Sequence, residues 1–499
     1  MPTEQPYKVF DRRRLNGYGV DPTFSEPVRT RHSGQRRYFH DYGKDAPALL
    51  GGESRRVLMT VGRYLYSNSS IVRGALNEMA SLATSSFIPQ FDGEDKSWGQ
   101  AAEDWLYNHD RVCDVRGGPY DMASLNRLVV LSVLRDGDCF VLLTESEGGW
   151  PMFQIIPAHR VGSRNGDGVI DSGPWAGRSM VDGAVVNEYG RAVAYNVLGE
   201  DASLDRVIDT SSLIPVYFPE YADQVRGVSS LASSVIDFQD VLESRRLELV
   251  AQKLAAALTM VETNETGMAD DASALVSSVA TTDTPADITY SEEHFGGTVR
   301  YFRSGTGGAI TPVVSDRPTQ NQREFADSII RQALHGIGWS FDFSVDPTKV
   351  GGQSGRVVVE KINRKLEQIR EVLLSPVRRK MDGYRLSKAI KLGEVPSSDE
   401  WYKWTYQGPA KITSDEKYSS DVALQEFRSG FTTMESVCAQ RGAWWQDVVE
   451  QRAREAAYIS QKAAEAGVPV DMVQMLTPNG TQSGQEVQDD YEDTQDQTE

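Results

Sequence analysis

The chain has 499 residues, with 71 acidic against 52 basic side chains and a formal net charge of −19. That length exceeds one ordinary hydrophobic core and predicts several modules. A content of 39% hydrophobic and 25% charged residues is that of a folded chain rather than a disordered one. The acidic excess excludes a protein that grips nucleic acid over a broad surface, because such binders neutralise phosphates with Lys and Arg. No stretch approaches the uncharged run a membrane span needs. The most apolar, residues 125–144, is broken by Arg127, Arg135, Asp136 and Asp138. Residues 1–14 lack the apolar core of a signal peptide. Cys113, Cys139 and Cys438 show no metal spacing, which fits a reducing cytoplasm and not a disulfide scaffold.

The charge is distributed in blocks. Residues 1–73 carry 13 basic and 7 acidic side chains, whereas residues 254–299 carry eight carboxylates and no Lys or Arg. Residues 356–391 turn basic, 11 against 4, and the stretch from Thr481 has seven carboxylates and no base. Alternating blocks point to parts that meet different partners, or to separately solvated surfaces.

In chain order, residues 1–45 read as a basic arm punctuated by Gly and Pro. Its arginines, Arg12 to Arg14 and then Arg29, Arg31, Arg36 and Arg37, suit nucleic acid, a neighbouring subunit or a flexible tail. Residues 53–83 read as helix. Near Leu128 a helix gives way at the turn residues Asp136-Gly137-Asp138 to a strand over 139–144. Further strands are expected at 153–156, 184–186 and 192–198, with a turn at Asn165-Gly166-Asp167-Gly168. A long helix over 229–258 carries an apolar stripe: Leu231, Val235, Phe238 and Leu242, then Leu247, Val250, Leu254 and Leu258. The acidic segment 262–293 reads as partly mobile. It leads to a strand at 298–302 and a glycine loop at 304–308.

A second helix begins near Pro318, has Phe325, Ile329, Ile330 and Leu334 on one stripe, and ends at Gly336 and Gly338. Pro347, Gly351, Gly352 and Gly355 predict a long loop over 340–355. A third helix follows with Val359, Ile362, Leu366, Ile369 and Leu373 in helical-seam spacing, kinked or ended by Pro376. The last folded piece reads as helical and rich in tryptophan: Trp401, Trp404, Trp444 and Trp445. Beyond Pro478 the composition cannot bury a core. The fold class expected is α+β, mainly helical.

Signatures of chemistry are sparse. There is no G-x-x-x-x-G-K-[ST] phosphate loop and no H-E-x-x-H. His32, His40, His109, His159, His294 and His335 are scattered singly, as surface or satisfied core residues are. Ser414-Asp415-Glu416-Lys417 matches the S-x-x-K nucleophile signature. Thr413 with Glu416 also forms a helix capping box, which explains the same residues without catalysis. No catalytic residue, cofactor or metal ligand is assigned.

The order of these segments, with several short motifs, resembles the lambda-like phage portal proteins. Gln224-Val225-Arg226-Gly227-Val228 resembles the "Q-x-R-G" run that leads into that family's first long helix. Residues 301–312 are similar to its glycine-containing strand segment. Residues 339–356, with Asp346 and Ser354-Gly355-Arg356, resemble the loop that ends in "S-x-R". Residues 401–404, Gly430-Phe431-Thr432-Thr433 and Arg441-Gly442 resemble its C-terminal pattern. Together these span about 50–465; the stretch Lys349-Val350-Gly351-Gly352-Gln353 is richer in glycine than the family pattern.

The resemblance implies a structural protein, not an enzyme, that forms a homo-dodecameric ring at the portal vertex of the virion, assembled in the host cytoplasm. Double-stranded DNA would be packaged and ejected through its channel. The large terminase subunit, the major capsid and scaffolding proteins and the head–tail connector would be partners, with no membrane and no cofactor. It implies a wing at 46–226, a first stem helix at 227–258, a clip at 259–316 and a second stem helix at 317–338. A tunnel loop at 339–355 would face DNA with Lys349, Gly351, Gly352, Gln353, Ser354 and the adjoining Arg356. A basic helix at 356–395 would return to the wing, 396–478 would form a helical crown, and 479–499 would be a disordered acidic tail after the 1–45 arm. The alternatives are another head–tail adaptor ring, usually much shorter, or a serine hydrolase using Ser414 and Lys417. Ser414→Ala separates that last reading: a capping role predicts a modest stability change, catalysis a complete loss of activity.

Overall fold

The computed structural model describes residues 45, 51–164, 166–171, 173–264, 290–295, 298–304, 309–312, 320–346, 352–413, 422, 424–441 and 443–467. The chain divides into two units, residues 1–420 and 421–499.

The first unit opens with α1 (Gly52–Asn68) and α2 (Ser70–Thr84). The single helix expected over 53–83 is divided at Ser69, whose extended backbone ends one helix while its hydroxyl accepts from the Val72 amide to cap the next. Next come β1 (Ile88–Phe91), α3 (Lys96–His109) and α4 (Met122–Asp136). Asp95 and Asp121 cap α3 and α4 through the amides of Trp98 and Ser124. The predicted stop at Asp136-Gly137-Asp138 is observed: Gly137, at φ +100°, turns α4 into β2 (Asp138–Glu145).

β3 (Pro151–Pro157) pairs antiparallel with β2. An antiparallel meander of β4 (Gly168–Val169), β5 (Ser179–Val181), β6 (Ala184–Val186), β7 (Ala192–Val197) and β8 (Arg206–Asp209) then forms a five-stranded sheet. β9 (Leu213–Tyr217) returns to β2, giving the three-stranded order β3-β2-β9. The second core, with Phe140, Val181, Val186, Tyr195 and Leu213, joins the two sheets.

After a 3₁₀ turn (Ala232–Ser234), α5 (Val235–Ala257) begins later than the sequence predicts and passes directly into β10 (Leu258–Asn264). β10, β11 (Tyr290–Phe295), β12 (Thr298–Ser304) and β13 (Ala309–Pro312) make a four-stranded sheet of order β11-β12-β10-β13. The β10–β12 pair is parallel and the other two pairs are antiparallel. α6 (Gln320–Gly336) and the short α7 (Phe341–Ser344) follow.

α8 (Gly352–Ile369) starts four residues before the helix the glycines seemed to forbid, so Gly352, Gln353, Ser354 and Gly355 belong to a helix and not to the expected loop. Pro376 does not end the helical path. A π turn (Arg370–Leu374) precedes α9 (Ser375–Leu392), with Pro376 in the first turn of that helix. The predicted seam is buried in full, Val359, Ile362, Leu366, Ile369 and Leu373 all lying in the interior.

The basic block at 356–391 is not merely a solvated surface. Arg378 and Arg385 are fully buried beside Asp382, and Arg385 also donates to Asp110 at 2.6 Å. Residues 396–413, expected in a helical end, instead carry β14 (Trp404–Gln407), which pairs with β1. There Trp404 packs in a third core with Phe91, Trp98 and Leu386.

In the second unit, α10 (Met434–Gln440) and α11 (Trp445–Ala466) are helical. The G-x-x-T motif has a physical role here: Gly430 takes a left-handed turn at φ +77°, and Thr433 caps α10 through the Ser436 amide. The arm at 1–44, the acidic stretch 265–289, Gly305–Gly308, Ser414–Lys417 and the tail beyond Gly467 lie outside the described residues.

Candidate functional site: a helix pair, its ion lock and the turn beyond it

The Q-x-R-G motif forms a buried lock at the foot of α5. Arg226 donates from Nε and Nη2 to both carboxylate oxygens of Asp138, at 2.7 and 3.2 Å. Its remaining donors reach the carbonyls of Asp182 (2.7 Å), Val161 (3.0 Å) and Ala158 (3.2 Å). Gln224 accepts from the amides of Glu220 and Tyr221 and donates to the Arg226 carbonyl at 2.7 Å. Gly227 donates its amide to Asp138 and crosses Gly137 so closely that a Cβ there would fall 2.0 Å from the Gly137 carbonyl oxygen. Gln224, Arg226 and Gly227 thus each have a role set by geometry.

A second arginine completes the lock. Arg55 of α1, also buried, forms a two-pronged pair with Asp182 and lies 3.9 Å from Asp138. Burial opposes ionisation of Asp182, but Arg55 and Arg226 beside it outweigh that cost and hold its carboxyl below the ordinary range. Asp182 and Gly183, both at positive φ, form the two-residue β5–β6 hairpin loop favoured by an Asp-Gly pair. This signal was in the sequence and was missed. Nearby, Asp136 takes paired hydrogen bonds from both Arg63 and Arg135, which lower its pKa against the opposing effect of burial.

From this base α5 and α6 run antiparallel. The Ser234 hydroxyl donates to the Ala333 carbonyl at 2.8 Å, and a Cβ on Gly336 would sit 2.3 Å from Ser234 Oγ. At the other end Gln322 donates to Glu248 at 2.8 Å. The apolar stripe changes character along this length. Leu231, Val235, Phe238 and Val241, with Ile330 and Leu334 of α6, lie in the main core. Leu247, Val250 and Phe325 are 65%, 53% and 65% exposed, and Leu249 is exposed beside them. Carboxylates flank this upper half: Asp240, Glu243 and Glu248 line an open pocket with Leu247 and Gln322.

Beyond α6, Gly338 turns at φ +76° and the chain is pinned at once. Trp339 donates from Nε1 to Ser344 Oγ at 2.6 Å and to Glu78 of α2 at 3.2 Å, and the Ser344 hydroxyl donates to the same carboxylate. Arg331 pairs with Asp342 at 3.0 Å and lies over the Phe341 ring. On the far side, the π-turn residue Arg370 donates to the carbonyls of Leu82 (2.9 Å) and Ala83 (3.1 Å), capping the end of α2. The chain before the expected tunnel loop and the far end of α8 are thus both anchored on α2. Lys349 and Gly351 lie outside the described residues. Gly352, Gln353 and Ser354 open α8, and Arg356 is an exposed residue of its second turn.

Among the described residues no group of His, Cys, Asp or Glu is placed to hold a metal ion, and no helix is long and apolar enough to cross a membrane. The sequence matches the family model of lambda-family phage portal proteins over residues 36–370, which includes the motif, both helices and the turn just described. The chain belongs to the lambda family of phage portal proteins. Its role is that of a portal or connector protein. The C-terminal motifs at 401–442 lie beyond the family match.

No curated protein sequence matches the chain. Among solved structures, the neck of a native gene transfer agent particle, computed with C12 symmetry, matches with a TM-score of 0.45 and 11% identity. That match covers 78% of this portal protein and 93% of the other chain. A chain of the virion of the native gene transfer agent particle matches with a TM-score of 0.43 and 11% identity, over 84% and 99% of the two chains.

Proposed function

We propose that twelve copies of this portal protein close into a ring at one vertex of the capsid, assembled in the host cytoplasm. Double-stranded DNA is driven in through its channel by the large terminase subunit and later leaves by the same route. In this reading α5 and α6 are the stem, the sheet β10–β13 belongs to the clip, and the sheets β2–β9 belong to the wing. The 421–467 helices belong to the crown, and the segment between α7 and α8, with Lys349, faces DNA. Arg356 stands at its margin. Scaffolding and major capsid proteins surround the wing, and the head–tail connector docks on the clip.

The observation that carries the reading is the graded stripe of the helix pair. Its lower half is satisfied within the subunit, while Leu247, Leu249, Val250 and Phe325 remain exposed. A head-to-tail ring buries such a face around a closed circle without leaving an open end. The acidic flank of the pair suits a passage through which phosphate must slide without sticking. Negative-stain images and light scattering of the purified chain test this reading. Closed rings with a central hole are expected, and a monodisperse monomer at micromolar concentration under several salt conditions overturns it.

A further inference from the structure

Away from the helix pair, a cleft of about 1200 Å³ opens between α9 on one side and strands β7 and β9 on the other. It is larger than the ~300–1,000 Å³ typical of small-molecule pockets. Three cations line it: Arg191 from the β6–β7 turn, and Arg379 and Lys380 from α9. All three are exposed, and among the described residues none has a carboxylate within ion-pair distance. Their charges are therefore open to a ligand that enters the cleft. The neighbouring Lys388, by contrast, is already paired with Glu145.

The walls are aromatic. Tyr189, Trp401 and Tyr402 are 38%, 37% and 59% exposed and line the same cleft, with Tyr384 behind them. The floor is kept open by a glycine within a helix. Gly383 lies one turn beyond Arg379 on α9, and a Cβ there would meet only the Trp401 ring, at 3.4 Å. Alanine at a mid-helix position favours the helix by ~0.5–1 kcal/mol over glycine, so the open floor has a cost in stability.

We propose that this cleft binds an acidic peptide segment that carries an aromatic side chain. The cations take its carboxylates, and Tyr189, Trp401 and Tyr402 stack on its ring. Clusters of basic side chains recognise acidic motifs, and exposed aromatic faces stack on a ring. Nucleic acid fits less well: three cations on a chain of net charge −19 are too few for a track of phosphates.

The test uses the full-length chain and a fluorescein-labelled dodecapeptide of Asp, Glu and Tyr, read by anisotropy. Micromolar binding that weakens with added salt is expected. The triple variant Arg191→Glu, Arg379→Glu, Lys380→Glu weakens it at least about ten-fold. Gly383→Leu, which fills the floor without changing charge, also weakens it. Far-UV circular dichroism and ring formation report that both variants are folded. Equal binding by wild type and both folded variants overturns the proposal, as does equal binding of a Lys-for-Asp/Glu peptide. Displacement of the peptide by a lower concentration of a twelve-base oligothymidylate replaces it with a nucleic-acid site.

Discussion

Arg226 is where three separate segments meet: the start of β2 through Asp138, the 158–161 turn through two carbonyls, and the β5–β6 hairpin through Asp182. Removing Arg226 takes the main partner from Asp138 and leaves three carbonyls without a donor, with only Arg55 nearby to compensate, which costs about 3–5 kcal/mol. Arg226→Ala is therefore expected to lower unfolding stability by that amount in a denaturant titration. Arg226→Lys recovers only part, because one ammonium cannot replace a planar fork facing a carboxylate and three carbonyls. A second residue sets the response to acid. His109 is buried, stacks on Trp105 and faces Arg385 at 3.4 Å, and burial and then Arg385 push its pKa down to about 4. The unfolded imidazole titrates near ~6.5, so below that pH the unfolded chain takes a proton that the folded chain declines. Stability is full above pH ~6.5 and falls by about 3 kcal/mol as pH drops to ~4. His109→Gln flattens that slope in urea melts. The depressed carboxyls of Asp182 and Asp136 extend the loss further, because their stabilisation is present above the ordinary Asp pKa of ~3.9 and disappears as pH falls below it.

At the scale of elements, what the sequence made legible was whatever is written locally. The Asp136-Gly137-Asp138 stop, the strand after it and the seam from Val359 to Leu373 follow from turn chemistry and periodicity. What it hid was tertiary. Trp404 reads as helical by its neighbours but is a strand residue because Phe91 and Trp98, three hundred residues earlier, offer it a core and β1 an edge. Gly352 and Gly355 read as loop because glycine disfavours helix, yet Gly355 is buried at the start of α8. Arg226 and its motif, which carried the family resemblance and were not among the expected DNA-facing residues, gain a role from observed contacts. Asp182, its partner, could have been found from the Asp-Gly pair between two β-branched runs. These anchors lead to a prediction about the expected tunnel loop. Trp339 and Ser344 fix its entrance to Glu78, and Arg370 ties the helix beyond its exit to the same α2. Deleting residues 347–351 should therefore leave the fold and ring assembly intact, while lowering the DNA retained in filled heads as measured by nuclease-protected genome length. Lys349→Ala gives a milder defect of the same kind. Full packaging and retention by the deletion would remove this segment from the DNA-facing surface.

At the scale of the whole molecule, the division of the helix pair into a satisfied lower half and an exposed upper half separates folding from assembly. Val235, Phe238 and Leu334 belong to the core that also holds α1, α2, α4 and α8, so truncating them unfolds the subunit. Leu247 and Phe325 contribute little to that core, each being 65% exposed. Replacing both by lysine is expected to change subunit stability by no more than about 0.5 kcal/mol, as at other exposed positions. For Leu247 the neighbouring Glu243 and Glu248 favour the new charge. In the proposed closed ring the same lysines would meet the apolar stripe of the adjoining subunit, where burying an ammonium costs several kcal/mol, most of all at 325. The double variant Leu247→Lys, Phe325→Lys should therefore give a folded monomer by light scattering, with the thermal midpoint of the isolated wild-type subunit and no rings in negative stain. The single variants should give rings that dissociate at lower protein dilution. Intact rings in the double variant would mean that the subunits meet through another face, and the exposed stripe would then require a different partner.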